Sequence, residues 1–394
     1  MVYSLIKFPE YANKCIKSII NNGFEAYFVG GCVRDSILGR EYEDVDIATS
    51  ALPDDIIAIF DHTVPTGIKH GTVTIIIDGH KIEVTTFRQE FDYDDSRHPN
   101  KVSFVPSLDI DLSRRDFTIN ALACTHDGKI IDIFGGQNDL KSRLVKAVGA
   151  PEIRFDEDAL RIARAFRFSS VLDFDFDDNT KKAALALSPK LSNISGERLF
   201  SEFKKCACGK KPAVITELIS IGALSCFGIY SPLFTDDAFD RISRLNLDSS
   251  SKLSLLISLC KHDVPLLKTK LKIDNHTLKN ITVLDELSAV EIPTNKQQIK
   301  RLLYKYNPQT VSLYFHYLML INAVYDGRLF SITDDIINGK EAYKISHLRI
   351  NGDDLLPLGY SGAGIKKALE NALFSVIDGT IENTRECLLN FLKN

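Results

Sequence analysis

The chain has 394 residues, 44% hydrophobic and 25% charged, a globular composition with apolar material enough for two to four domains. No apolar run is long enough to span a bilayer and no basic-apolar-small leader opens the chain, which predicts an intracellular, cytoplasmic protein away from the membrane. The formal net charge of −4 neither requires nor excludes a polyanionic partner, because a local basic strip suffices to hold one.

Residues 1–24 read as a helix with Ile16, Ile19 and Ile20 on one face, stopped by Asn21-Asn22-Gly23. The stretch 27–49, YFVGGCVRDSILGREYEDVDIAT, follows. It supplies a β-like run, the pair Gly30-Gly31, a helix over 32–39 that carries Arg34 and Asp35, and then Asp44 and Asp46. Glycines lack a Cβ, so backbone N–H groups at a helix start can approach a phosphate closely. Residues two apart on a strand share a face, which places Asp44 and Asp46 together and Val45 and Ile47 opposite. Two carboxylates just beyond a phosphate-binding turn suit Mg²⁺, which holds nucleotide phosphates and activates a hydroxyl for in-line attack. Alone, Gly-Gly is usually a turn and Asp-x-Asp a solvated loop; their order and close spacing favour the functional reading.

Ser50-Ala51-Leu52-Pro53 reads as a helix start, with Asp54 and Asp55 at the positive end of its dipole. Residues 71–88 read as a β-hairpin turning at Asp78-Gly79, with Glu83, Thr85 and Phe87 facing one way and Ile82 and Val84 the other. If that second strand lies beside the one carrying Asp44 and Asp46, Glu83 becomes a third metal carboxylate; register is not legible from sequence. Residues 89–112 read as a long polar, acidic loop. In 113–123, SRRDFTINALA, Arg114, Arg115 and Asp116 precede an apolar run that reads as helical. They form either a charged helix start or a phosphate grip, with Asp116 or Asn120 on a ribose hydroxyl. Residues 130–136 give another short strand and turn.

Beyond Gly149 helical periodicity takes over. In FDEDALRIARAFRFSS, Asp158, Arg161, Arg164 and Arg167 recur every three residues, a row that spirals slowly around a helix. Such a row is ordinarily an exposed salt-bridged face. A guanidinium beside a carboxylate also offers the fixed donors and acceptors that read a base edge. Residues 192–205 read as an amphipathic helix capped by Ser195, with Leu199 and Phe203 inward. Lys204, Lys205, Lys210 and Lys211 form the densest basic cluster, a candidate track for RNA phosphodiesters. The eight cysteines include no Cys-x-x-Cys pair and read as reduced apolar fillers. A phosphohydrolase centre at His262-Asp263 is rejected, since no histidine lies between His126 and His262. The remainder reads as helices, with a cap at Asn351-Gly352-Asp353-Asp354 and a flexible turn at 359–364.

In this order the motifs closely resemble those of the class II (bacterial-type) tRNA nucleotidyltransferases, the family of CCA-adding enzymes and poly(A) polymerases, over essentially the whole chain. GGCVRD with EDVDIAT is similar to the family's metal and phosphate motif, RRDFTINALA to its sugar-reading motif and EDALRIARAFRF to its base-reading motif. INGDDLLPLGYSGAGIKKALE and GTIENTRECLLNFL resemble its tail. The resemblance implies an α+β fold. A polymerase-beta-like head of mixed sheet and helices (1–148) is followed by an all-α neck (149–205), body (206–290) and tRNA-binding tail (291–394). It implies Mg²⁺ on Asp44 and Asp46, and nucleotide binding by the Gly30-Gly31 turn, Arg34, Arg115, Asp116 and Asn120. Asp158 and Arg161 would read cytosine or adenine, supported by Arg164 and Arg167. The implied reaction is template-independent addition of CCA to the tRNA 3′ end from CTP and ATP, with two Mg²⁺ ions and release of pyrophosphate. No obligatory protein partner is implied. CC-only or A-only addition, poly(A) synthesis and, more remotely, silent RNA binding are the alternatives. The full stretch YDDSRHPNKVSF and the lack of a long basic C-terminal extension favour complete CCA addition.

Overall fold

The computed structural model describes residues 6–42, 44–91, 101–322 and 327–393. The chain divides into two compact units. One holds the described residues up to Pro232 together with Pro265–Ile273, and the other holds Leu233–Val264 and the described residues from Asp274 onward.

In the first unit, helix α1 (Glu10–Asn21) is shorter than the pattern over 1–24 predicts. Pro9, which has no N–H to give and an extended ψ of 151°, occupies its N-cap. The helix buries Ala12, Cys15, Ile16 and Ile19, an i, i+3, i+4, i+7 stripe, and the chain turns away through Gly23 at φ +90°.

Among the described residues up to Asp132, nine strands follow: β1 (Ala26–Val29), β2 (Val45–Thr49), β3 (Thr63–Gly67), β4 (Thr72–Ile77), β5 (His80–Thr86), β6 (Arg88–Phe91), β7 (Lys101–Phe104), β8 (Leu122–Cys124) and β9 (Ile130–Asp132). Seven form one mixed sheet in the order β3-β4-β5-β2-β1-β8-β9. Within that sheet, among the described residues, only β2 and β5 are parallel neighbours. Asp78 and Gly79 both adopt positive φ, as a two-residue hairpin turn requires.

Register explains the two faces. Phe28, Ile47, Val84 and Val73 are successive partners across four strands, and all are buried. Helices α1, α2 (Gly31–Ile37) and α3 (Pro53–Ile59) pack on the sheet. On the other face, Leu108 and Leu112 of α4 (Leu108–Ser113) cluster with Val29, Ala48, Phe87 and Ala123. The next row on that face is Val29, Asp46, Glu83, Thr74 and Val64. Sequence alternation thus separates an apolar face from one that carries the acids.

Three local expectations change. Strand β3 is an addition to the predicted hairpin. The polar stretch 89–112 contains most of β6, β7 and most of α4, while residues 92–100, with most of the stretch YDDSRHPNKVSF, lie outside the described residues. The apolar run after Asn120 is strand β8, not helix. It lies between β1 and β9 with every residue buried, and a short run buried on both faces has no period to reveal its state.

After α5 (Gly136–Ser142), the helical portion of this unit comprises α6 (Pro151–Glu157), α7 (Leu160–Leu172), α8 (Asp178–Leu187), α9 (Gly196–Ala207) and α10 (Thr216–Ser220). The predicted continuous helix through Asp158 is broken there, at φ −141° and ψ 103°. The Asp158 Oδ1 accepts from the Leu160 N–H at 3.0 Å, a local bond that competes with helix and restarts it as α7. Leu199 and Phe203 bury the inner face of α9, which packs on α7.

The second unit is predominantly helical. Asp248, Asp274, Asn295 and Asn307 each accept a backbone N–H at a helix start, and Asn351 with Asp354 forms a capping box. One core gathers Leu355, Ala372, Leu373 and Leu388. Among the described residues no helix is long and apolar enough to cross a membrane.

Candidate active site

A cavity of about 790 Å³ in the first unit collects side chains from the head sheet, α2, the 114–120 segment, α7 and α9. Asp44 and Asp46 come from the entrance of β2, Gly30 and Gly31 from the β1–α2 turn, and Arg34 from α2. Arg115, Asp116 and Asn120 precede β8, and Asp158 stands at the α6–α7 break. Arg161, Arg164 and Arg167 project from α7. All twelve residues, scattered over some 140 positions of sequence, line one space.

Gly30 is needed where it stands. Its φ is +73°, and a Cβ there would lie 3.2 Å from the Arg115 Nη1 and 3.6 Å from the Asp46 Oδ2. The same distances show how closely Arg115 and Asp46 approach the turn. Burial pushes the Asp46 carboxyl up to about 6 against the pull of Arg115, and the charges of Glu83 and Asp44 push the same way. Glu83 is the direct register partner of Asp46 on β5. It does not line the large cavity; with Asp44 it lines a neighbouring one of about 250 Å³. Two hard oxygen donors crowded by a third carboxylate suit a divalent cation, which relieves their repulsion. Among the described residues no group of three or more His, Cys, Asp or Glu side chains is gathered closely enough to hold a metal by itself.

A hydrogen-bonded chain ties the phosphate side to the helical side. Arg34 donates to Asp35 at 3.1 and 2.6 Å and to the Asn120 Oδ1 at 2.7 Å. Asn120 donates to the Asp116 Oδ1 at 3.1 Å, and Arg164 donates twice to the Asp116 Oδ2 at 2.8 and 2.5 Å. Burial works against the Asp116 charge, yet Arg164 and the hydrogen bond from Asn120 hold its carboxyl well below the usual range. Arg167 pairs with buried Glu202 of α9. The Phe168 ring gathers three guanidinium groups, with Arg34 at 5.2, Arg164 at 5.4 and Arg167 at 3.8 Å from its centroid.

The base-reading pair expected from sequence has a different partnership. The Asp158 Oδ2 accepts from Arg198 of α9 at 2.9 Å. Arg161 donates to Glu157 at 2.5 Å and to the backbone carbonyls of Arg154 and Arg114 at 3.1 and 3.2 Å. Both residues line the cavity.

Sequence reasoning missed Arg198, Phe168, His70 and Arg88 among the lining residues and Asp111 and Glu202 behind them. Asp111 accepts from Arg114 at 3.0 and 2.7 Å and from Arg115 at 3.2 Å. Burial opposes its charge, but those arginines hold its carboxyl below the ordinary range. Its i, i+3 and i, i+4 spacing to Arg114 and Arg115 was the available signal. Arg198 and Glu202 stand i, i+4 on α9, beside the apolar stripe. Lys204, Lys205, Lys210 and Lys211 line neither cavity; Lys211 pairs with Asp175 at 3.2 Å.

Eight arginines (34, 88, 114, 115, 161, 164, 167 and 198) and four aspartates (44, 46, 116 and 158) line the larger space. That positive excess, with two acids at one end, is the charge pattern of a site for a nucleoside triphosphate with a cation. Residues 26–146 match the family described as the Poly A polymerase head domain, and residues 173–226 match "Probable RNA and SrmB- binding site of polymerase A". The fold and cavity therefore define a nucleotidyltransferase.

The CCA-adding enzyme of Staphylococcus epidermidis is 36% identical over 397 residues, covering 97% of each chain. That of Limosilactobacillus reuteri is 48% identical over 252 residues, 64% of this chain and 62% of that protein, so this match spans less than two thirds of the relative. Among solved structures, the Bacillus stearothermophilus CCA-adding enzyme in complex with CTP superposes with a TM-score of 0.79 at 30% identity, covering 97% of this chain and 96% of that one. The chain belongs to the CCA-adding enzyme family. Nucleotidyltransferases of this kind work with divalent metal ions.

Proposed function

We propose that this chain adds CCA to the 3′ end of tRNA without a template strand, using CTP and ATP and releasing pyrophosphate. The observation that carries the reading is the single cavity in which Asp44 and Asp46 share walls with eight arginines and Asp158. The tRNA 3′-hydroxyl oxygen bonds to the α-phosphorus of the bound nucleotide as the bond to the α–β bridging oxygen breaks. The hydroxyl loses its proton and pyrophosphate departs. Asp44 and Asp46, with Glu83 beside them, would hold Mg²⁺, two ions of which, when bound, lower the pKa of the attacking hydroxyl and stabilise the leaving group.

Gly30, Gly31, Arg34 and Arg115 receive the triphosphate, and the arginines offset charge developing on it. Asp116 and Asn120 sit where the ribose passes, oriented by Arg164 and Arg34. Asp158, with the guanidinium groups of Arg161 and Arg198 on the same wall, presents an acceptor–donor edge to cytosine or adenine. Arg164 and Arg167 support that wall against Glu202 and Phe168. Lys204, Lys205, Lys210 and Lys211 fall within the 173–226 match and supply a phosphodiester track. The division into head (1–148), neck (149–205), body (206–290) and tRNA-binding tail (291–394) belongs to this reading, as does a cytoplasmic setting.

Sequencing the products formed on tRNA lacking its end tests it. CTP alone should give CC, both nucleotides CCA, and ATP alone nothing. Long A tails from ATP alone would identify a poly(A) polymerase instead. Arrest after CC, or addition only of A to a CC-ended tRNA, would restrict the activity to one part.

A further inference from the structure

Phe168 stands on α7 at the wall of the larger cavity, with only 4% of its surface exposed. A buried ring at that position reads as apolar filler between helix and head. Its surroundings are not apolar. The guanidinium carbons of Arg34, Arg164 and Arg167 lie 5.2, 5.4 and 3.8 Å from its centroid, and all three arginines line the same cavity. They come from distant parts of the chain, Arg34 from α2 and the other two from α7. The ring is itself fixed by a T-shaped contact at 5.6 Å with Phe117, which is fully buried and directly follows Asp116.

Three like charges gathered on a largely buried wall repel one another unless something offsets them. Carboxylates supply part of the offset: Arg34 pairs with Asp35 at 2.6 Å, Arg164 with Asp116 at 2.5 Å, and Arg167 with Glu202. For Arg167 that is not enough. Burial pulls its guanidinium below the ordinary arginine value even against Glu202, and the charge of Arg164 pulls the same way. The negative face of an aromatic ring attracts a cation without accepting its N–H donors in the plane, so the donors stay available to another partner. Arg34 and Arg164 are already joined through Asn120 and Asp116. The ring joins them a second time and brings Arg167 into the same group.

We propose that Phe168 is a positioning residue for nucleotide binding, which acts through the electrostatic face of its ring rather than through its bulk. It holds Arg34, Arg164 and Arg167 together at one wall, so that an arriving triphosphate meets guanidinium groups already in place. Long arginine side chains lose rotamer freedom when they grip a ligand, and a wall that is held beforehand loses less at that moment. A leucine fills much of the same space but has no negative face. The inference rests on the function proposed above, in which Arg34 meets the phosphates, and adds the residue that arranges Arg34 with its neighbours.

The test replaces Phe168 in the full chain by mono-, di- and trifluorophenylalanine, which nearly keep the shape of the ring while progressively draining its face of negative charge. Equilibrium Kd values for CTP, ATP and inorganic triphosphate should rise together, with log Kd increasing in proportion to the number of fluorines, to about tenfold at the trifluoro ring. Phe168→Leu should weaken binding at least as much. A flat fluorine series would overturn the proposal whatever the leucine variant does, because it would leave the ring only a packing role. The fluorinated rings decide the matter even if Phe168→Leu fails to fold. Failure of the unsubstituted chain to bind CTP or ATP would instead overturn the function on which the inference rests.

Discussion

Arg198 holds Asp158: its Nη2 donates to the Asp158 Oδ2 at 2.9 Å, while its Nη1 is buried with no hydrogen-bond partner among the described residues. A buried guanidinium N–H without an acceptor is costly. Arg198 lines the larger cavity, and in the function proposed above its fork would hold Asp158 toward the incoming base. Arg198→Lys keeps the charge but loses the planar fork. It should lower kcat/KM for CTP and ATP about ten- to a hundredfold while the triphosphate contacts persist. Single-nucleotide incorporation, with inorganic triphosphate as competitor, checks this. An unchanged kcat/KM would show that Arg198 serves only packing.

The raised Asp46 carboxyl carries a stability consequence in metal-free protein. Its folded value of about 6 lies above the ordinary carboxylate value of 3.8, so the folded state holds the proton more tightly. The associated penalty is absent below pH ~4, grows between pH ~4 and ~6, and is full above that. Asp46→Asn should therefore stabilise the protein at pH 8 by up to about 2 kcal/mol and leave it unchanged at pH 4. Urea denaturation at the two pH values measures the difference. Equal stability of variant and parent at pH 8 would contradict the origin given for the shift.

Under the proposed function the same variant should abolish nucleotide incorporation while changing tRNA affinity less than about tenfold, because the residues that would hold the metal are not those that would hold the RNA. Mg²⁺ binding to the unsubstituted protein should release protons near pH 6 and almost none at pH 8. Calorimetry in buffers of different ionisation enthalpy reads that release. Normal incorporation by Asp46→Asn would remove the metal assignment.

Arg164 and Asp116 form a pair whose carboxylate is nearly inaccessible while the guanidinium side chain is 34% exposed. Arg164→Ala leaves a buried charge with fewer partners and should destabilise by about 2 kcal/mol, less than for a fully buried pair because solvent reaches the arginine side. Asp116→Asn in that background should recover part of the loss. A double-mutant cycle with no coupling would show that the pair does not hold the cavity wall.

Much of this arrangement is legible in the chain, for identifiable reasons. The Gly30 turn, the Asp44–Asp46 spacing and the Asp78-Gly79 hairpin depend on local geometry, which local sequence specifies. The pairing of Asp46 with Glu83 depends on β2 and β5 meeting in parallel across 37 positions, and no local pattern encodes that register. The α6–α7 break was hidden because an aspartate that bonds its own backbone looks, in sequence, like one more member of a charged row. Strand β8 was hidden by burial on both sides. Arg198 and Glu202 look like the polar face of an amphipathic helix; only the packing of α9 on α7 brings Arg198 to the wall of the larger cavity, with Glu202 behind it.

The central claim is that the acids of β2 and the Asp158 wall act on one nucleotide. Single-turnover incorporation by Asp158→Ala, measured separately with CTP, ATP, GTP and UTP, tests it most directly. If one nucleotide spans both places, the variant loses rate with CTP and ATP far more than with GTP and UTP, and discrimination collapses. If all four rates fall by the same factor, Asp158 does not read the base and the two ends of the cavity serve different ligands.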